Sequence, residues 1–222
     1  MGKTPRVVGG RGRQGGGNRR IEAGLHRALD LVVAGLALVV FMPVMALAAL
    51  AVYARMGSPV LFRHERAGRN CDPFVLVKFR TMRPPGSADG DPDGDHRRLT
   101  PVGRFLRATS IDELPSLVNV LRGEMSLVGP RPLPVRYLDR YSAREACRHQ
   151  VRPGITGWAQ VNGRNNLGWE RRLDLDVWYV EHRSLTLDLR IMAKTLATVV
   201  RQQGINHEGH ATMPELLEPG RR

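Results

Sequence analysis

The sequence predicts a mainly α protein with a small β-hairpin, an α+β chain attached to a membrane. Three observations carry that prediction. Leu31 to Tyr53 is an uncharged run, long enough to cross a hydrocarbon core of about 30 Å as a helix. Pro59 to Arg63 and Phe74 to Phe79 are apolar stretches flanking a polar turn at Ala67 to Pro73, the signal of a hairpin. Beyond them, apolar residues recur at helical spacing, as at Leu114, Leu117, Val118 and Leu121. Composition adds a charge argument. Of 222 residues, 34 are Lys or Arg and 21 are Asp or Glu, a formal net charge of +13. That balance asks for an anionic partner: nucleic acid, a membrane surface or a phosphorylated substrate. A hydrophobic content of 42% excludes disorder of the whole chain. Cys71 and Cys147 cannot build a disulfide framework and read as free thiols in a reducing compartment.

Taken in order, residues 1–20 are Gly and Arg with little else. They form a flexible basic arm in this reading, with no aromatic interleaved to stack a base. Residues 21–56 hold the apolar run. A secretory signal fits poorly, because the run is longer than the usual ~7–15 residues. Arg19, Arg20 and Arg27 precede it and Arg55, Arg63, Arg66 and Arg69 follow it, so the positive-inside rule asks for the same side twice. Pro43, near its middle, removes a helical hydrogen bond. A re-entrant helical hairpin and a Pro-kinked span both remain open on these residues. A folded domain over 57–204 and a loose tail over 205–222 complete the division.

Within the domain, 83–97 is a Pro/Gly/Asp loop. Asp89, Asp91, Asp93 and Gly94 imitate the start of a calcium loop, but Thr100 stands where that motif needs Glu. Residues 101–123 read as helical. Pro101 suits a first turn, and Val102, Phe105 and Leu106 form one apolar face beside Arg104 and Arg107, a membrane-surface pattern. Residues 124–165 are irregular, with a short helix around Val135 to His149. Residues 169–182 and 185–203 read as two helices, the second capped by Ser184 and stopped by Gly204.

Asp112-Glu113 is the most informative pair. The plain explanation is a Ser110-x-x-Glu113 capping box with Asp112 in a first turn. The chemical one notes that Lys78, Arg80, Arg131 and Arg164 all lie in extended or Gly/Pro-punctuated segments, where sites concentrate. A carboxylate among such cations is able to attack a phosphoryl group while its neighbour holds a divalent cation.

Three blocks, KFRTM (78–82), TSIDELPSLVNVLRGEMSLVGPRP (109–132) and RPGITGWAQVNGRN (152–165), resemble the bacterial sugar transferases, the monotopic phosphoglycosyl transferases. The resemblance runs from about Arg20 to Gln203 and keeps the blocks in order and spacing. It implies transfer of sugar 1-phosphate from a nucleotide-diphosphate sugar, usually a UDP-sugar, to polyprenyl phosphate, with release of UMP. It implies Asp112 as the nucleophile that carries a phosphosugar intermediate and Glu113 as the Mg²⁺ ligand. By the same resemblance Lys78, Arg80, Arg131 and Arg164 bind substrate, and Asp176 and Asp188 match acidic positions of the last helices. The membrane segment is then a re-entrant helix broken at Pro43, with both ends on the cytoplasmic face of the bacterial inner membrane. Met42 stands where the family often has Ser, so the break here loses a hydroxyl that satisfies freed backbone groups. The chain resembles the minimal catalytic core of such enzymes.

Its partners on this reading are a UDP-sugar, polyprenyl phosphate and membrane lipids, with no nucleic acid. Two rivals compete. A membrane-tethered nucleic-acid-binding protein explains the charge but leaves the Asp-Glu pair unused. A noncatalytic scaffold leaves four intact site residues unexplained. His64, His149 and His182 lack paired spacing, and Trp158, Trp169, Trp178, Gln160 and Asn162 read first as packing or turn residues.

Overall fold

A computed structural model describes residues 16–84, 98–163, 167–201 and 216–217, with side chains from residue 21 to residue 198 of these stretches and at 216–217. The elements are α1 (Gly16–Met56), β1 (Leu61–Ala67), β2 (Pro73–Phe79), α2 (Pro101–Ala108), α3 (Leu117–Arg122), β3 (Ser126–Val128), β4 (Gly154–Thr156), α4 (Trp158–Val161), α5 (Trp169–His182) and α6 (Leu185–Arg201). Single 3-10 turns lie at Arg69–Cys71, Ile111–Ser116, Val135–Arg140 and Glu145–Gln150. The protein is therefore mostly helical with a small amount of sheet. Among the described residues one helix, α1, is long and apolar enough to cross a membrane, consistent with a monotopic membrane protein.

The hairpin forms where the two apolar stretches and the polar turn between them placed it. β1 and β2 pair antiparallel, with Leu61 opposite Phe79 and Ala67 opposite Pro73. Phe74, Leu76 and Phe79 face inward. A second, parallel pair joins β3 to β4 through Ser126–Gly154 and Val128–Thr156. It falls in the stretch read as irregular, because three-residue strands are too short to show a period. Glycines let these backbones close. A Cβ on Gly129 would lie 2.4 Å from the Arg152 carbonyl oxygen, and one on Gly154 would lie 2.1 Å from the Gly129 nitrogen.

α1 packs on the domain at both ends. Toward its N-terminus Ala34 joins the main core with Leu117, Val120 and Tyr179. Toward its C-terminus Ala48 and Val52 pack with Phe79 and Leu106. Polar bonds fix each end. Asp30 accepts from the Ser126 hydroxyl at 2.9 Å and the Leu127 N–H at 2.8 Å, and Arg80 donates to the carbonyls of Met56 and Gly57. Between them Val39, Val40 and Met42 are 66%, 66% and 60% exposed. The helix runs through Pro43 without interruption, and the break expected there does not appear.

Other expectations meet mixed outcomes. Thr100 caps α2 by accepting from the Gly103 N–H at 3.0 Å, with Pro101 in the first turn. Ser184 caps α6 through the Leu187 N–H. The helical stretch expected over 101–123, with a new start signal at Ser110 to Glu113, forms α2 and α3 with a 3-10 turn at that start, and the helix expected around Val135 to His149 forms as two 3-10 turns. The arm over 1–15, the loop over 85–97 with its imitation calcium motif, and Gly204 lie outside the described residues. Within the tail expected to be loose, Leu216 is fully buried beside Leu133, Tyr137 and Leu173, and its carbonyl accepts from Arg140 at 2.5 Å.

Candidate active site

Asp112 and Glu113 sit in the 3-10 turn between α2 and α3. The capping box does not form. Ser110 occupies the left-handed region at φ 57° and makes no side-chain cap bond, a conformation that costs a non-glycine residue of order 1–3 kcal/mol. The Glu113 side chain turns instead toward two cations. Its Oε1 accepts from Lys78 Nζ at 2.6 Å and from Arg131 Nη2 at 2.7 Å.

Three elements converge to place those cations. Lys78 comes from β2. Its strand is tied to α3 by Asn119, which is fully buried, accepts from the Val77 N–H at 3.2 Å and donates to the Val75 carbonyl at 2.8 Å. Asn119 thereby satisfies the free edge of β2 and fixes Lys78 beside the turn. Arg131 is carried by the segment after β3, held to β4 by Gly129 N–H to the Thr156 carbonyl and Gly154 N–H to the Pro130 carbonyl. Arg148 donates to the Arg131 carbonyl at 2.7 Å and to Asp176 Oδ2 at 2.8 Å.

The electrostatics separate the two carboxylates. Burial alone would raise both. At Glu113 the charges of Arg131 and Lys78 and their hydrogen bonds outweigh it and hold the carboxyl far below its usual range. At Asp112 burial and the neighbouring Glu113 charge prevail over Lys78, Arg107 and Arg131, and the pKa rises to about 6. Lys78 is lowered by burial, with the Glu113 charge opposing. Asp112 makes no side-chain hydrogen bond among the described residues. Glu113 is thus a fixed anion and Asp112 an unengaged, unusually basic carboxylate.

Of the other expected site residues, Arg164 lies outside the described residues. Arg80 is not brought to the pair, because its guanidinium holds the carbonyls that end α1. Asp188 is likewise withdrawn: it is 3% exposed and bonded to His26 Nδ1 at 2.8 Å and the Tyr179 hydroxyl at 2.7 Å. Asp176 is 2% exposed against Arg148, which in turn bonds the Arg131 carbonyl. Trp158 stacks on Trp178 with centroids 5.0 Å apart, and the Gln160 and Asn162 amides bond local carbonyls, as packing and turn residues do.

Sequence reasoning missed Asn119, Arg148, Arg66 and Arg172. Arg66 and Arg172 are both lowered to about 10, chiefly by burial and then by the Arg131 charge, so a cationic wall extends beyond Arg131. The four-residue spacing of Arg172 and Asp176 on α5 was a legible signal. Asn119 gave none, since its partners are backbone atoms of another element.

A half-buried pair in which Lys78 and Arg131 grip Glu113 and leave Asp112 free of hydrogen bonds, beside a helix suited to a membrane, is an arrangement that fits a membrane-associated enzyme. Sequence comparison agrees. The bacterial sugar transferase family model matches residues 21–202. A relative from Bacillus subtilis named "Uncharacterized sugar transferase EpsL" is 46% identical over 88% of this chain and 97% of its own length. The "UDP-glucose:undecaprenyl-phosphate glucose-1-phosphate transferase" of Caulobacter vibrioides is 44% identical over 85% of this chain and 74% of its length. The "Undecaprenyl-phosphate galactose phosphotransferase" of Salmonella typhimurium is 37% identical over 84% of this chain but only 42% of its length. The chain belongs to the bacterial sugar transferase family and is a sugar-phosphate transferase.

Proposed function

We propose that the chain moves a sugar 1-phosphate from a UDP-sugar to polyprenyl phosphate on the cytoplasmic face of the membrane, with Asp112 as the nucleophile. The observation that carries this reading is the unequal treatment of the pair. Glu113 Oε1 is clamped by two cations, which makes it a poor nucleophile. Asp112 is unclamped and has its pKa raised to about 6, so it is largely ionised at neutral pH yet more basic than an ordinary carboxylate.

In the first step an Asp112 carboxylate oxygen attacks the phosphorus that bears the sugar. The bond from that phosphorus to the bridging oxygen breaks, and UMP leaves with the electron pair. In the second step an oxygen of polyprenyl phosphate attacks the same phosphorus and the aspartyl oxygen departs, restoring the carboxylate. Arg131 and Lys78 are placed to stabilise charge on the nonbridging oxygens. Positioning and charge complementarity supply most of the catalysis in such transfers.

The residues fit one Mg²⁺. Among the described residues Glu113 Oε2 and both Asp112 oxygens carry no hydrogen bond, and no cluster of three or more His, Cys, Asp or Glu forms a closed cage. Mg²⁺ takes one or two carboxylates and completes its shell with water and substrate phosphates, so Glu113 would hold it. Bound there, the ion would neutralise charge on the diphosphate.

The packing of α1 supports a re-entrant placement. Asp30 and Val52 both contact the one folded domain, although they lie about 33 Å apart along a helix. A folded domain does not thread a bilayer, so both ends of α1 belong on one side. The exposed apolar residues 39–43 are then the part immersed in lipid.

The test is UMP release from a panel of UDP-sugars by detergent-solubilised protein with Mg²⁺ and polyprenyl phosphate, beside Asp112→Asn. Release with one sugar, abolished by the substitution and by chelation, is expected. Undiminished release by Asp112→Asn would overturn the assignment.

A further inference from the structure

A second cationic feature lies away from the carboxylate pair and takes no part in the proposed reaction. Arg27, Asp30, Arg69, Gln150, Arg152 and Arg183 line a cavity against the N-terminal part of α1. Its four arginines come from four separate segments: α1, the turn after β1, the strand entry before β4 and the α5–α6 link. The cavity adjoins the C-terminal end of α3. Arg27 donates to the Val120 and Leu121 carbonyls at 2.7 and 2.9 Å, and Arg152 Nε donates to the Gly123 carbonyl at 2.7 Å. Asp112 lies at the start of the turn that leads into α3, about 15 Å away along that segment.

The positive charge there is only partly compensated. Among the described residues Asp30 is the one carboxylate lining the cavity, and it is already engaged by Ser126 and the Leu127 N–H. Arg183 also hydrogen-bonds the Tyr179 hydroxyl and its charge reaches Asp188, but its Nε is buried without a hydrogen bond. Arg69 makes no ion pair among the described residues. Burial, then the charges of Arg27, Arg69 and Arg183, lower the pKa of Arg152. Arg27 and Arg152 spend part of their donors on the last carbonyls of α3, but that capping needs neither Arg69 nor Arg183 beside them. Crowding guanidinium groups in this way suits a bound anion with several acceptor oxygens, for which the planar fork of arginine is the matching donor. The uncharged run of α1 begins at Leu31, immediately after Asp30, which sets the cavity at the depth where that helix meets a membrane surface.

We propose that this cavity is a second phosphate-binding site, separate from the catalytic pair, at the membrane-facing root of α1. An anionic phospholipid headgroup and free phosphate present the same chemistry, and the experiment separates them. The full chain is partitioned between buffer and phosphatidylcholine vesicles with and without phosphatidylglycerol, beside Arg69→Gln/Arg183→Gln. A control, Arg171→Gln/Arg190→Gln, removes the same charge from exposed positions on α5 and α6. A headgroup site predicts that the cavity variant loses about tenfold of the phosphatidylglycerol-dependent gain while the control keeps most of it. In a parallel arm, calorimetric titration with inorganic phosphate measures binding in solution. Saturable binding that the cavity variant loses, with unchanged vesicle partition, assigns the site to soluble phosphate. Equal losses in both double variants, or neither phosphate binding nor phosphatidylglycerol preference in the unaltered chain, would overturn the proposal. Arg69→Gln alone, at an exposed residue, repeats the comparison if the double variant fails to fold.

Discussion

Two sets of buried acids in this protein have opposite fates. Asp176 and Asp188, on α5 and α6, are almost wholly buried, and each is met by its own partners: Arg148 for one, His26 and Tyr179 for the other. Asp112 and Glu113 are half-buried in a strained turn. There the cations gather on Glu113 and leave Asp112 without a hydrogen bond. The first arrangement satisfies charge and builds the fold. The second leaves one carboxylate unsatisfied and basic. On the proposed function, an acid is made reactive by what its neighbours withhold, and its burial alone does not distinguish the two cases.

Substitution at each set sharpens the contrast. The largest effect is expected at Asp112→Asn, which should lower sugar-phosphate transfer by on the order of 10⁴-fold or more. The same change should stabilise the fold. The raised pKa of Asp112, about 6, means the native state holds that proton more tightly than the unfolded chain does. Its stabilising contribution is therefore present at low pH and lost as pH rises from about 4 to about 6. Melting curves at pH 5 and pH 8 should show the Asn variant gaining on the parent at the higher pH.

Next comes Arg148→Met. It strands a buried Asp176 carboxylate and frees the Arg131 carbonyl, so a loss of about 3–5 kcal/mol is expected in denaturant unfolding. Asn119→Ala should cost about 2 kcal/mol by leaving backbone groups of β2 unpaired. It should also reduce activity through Lys78, which a hydrophobic truncation elsewhere in the core would not do.

A subtler effect is the pH profile. If Asp112 attacks as the carboxylate, kcat/KM should fall about tenfold per pH unit below about 6, with Glu113 ionised throughout. A profile flat down to pH 5 would place the nucleophile elsewhere. The smallest effect is expected at the exposed Arg144–Asp174 pair, where Arg144→Ala should cost under about 1 kcal/mol. A larger loss would show that the buried-versus-exposed contrast is drawn in the wrong place.

Much of this was legible in the sequence, for physical reasons that vary by residue. The long apolar helix, the β-hairpin and the α6 cap follow from local rules of hydropathy, turn placement and capping, and all three form, although the helix is unbroken at Pro43. The resemblance pointed to Asp112, Glu113, Lys78 and Arg131, and Lys78 and Arg131 do meet Glu113. Arg80 and Asp188 sat in equally suggestive positions, yet the fold uses both to secure α1. Asn119 and Arg148 were invisible because their partners are backbone atoms and side chains far away in the chain. The failed capping box carries the same lesson. Ser110 and Glu113 have the right types and spacing, but two distant cations outcompete the local N–H groups.

The central claim is that Asp112 takes the sugar phosphate onto itself. Intact-protein mass spectrometry after mixing the enzyme with Mg²⁺ and its UDP-sugar, with no polyprenyl phosphate present, tests it most directly. The account predicts a mass increase equal to one sugar phosphate, mapped to the peptide carrying Asp112, absent from Asp112→Asn and discharged by adding polyprenyl phosphate. UMP release that requires the acceptor from the outset, with no adduct formed, would contradict it.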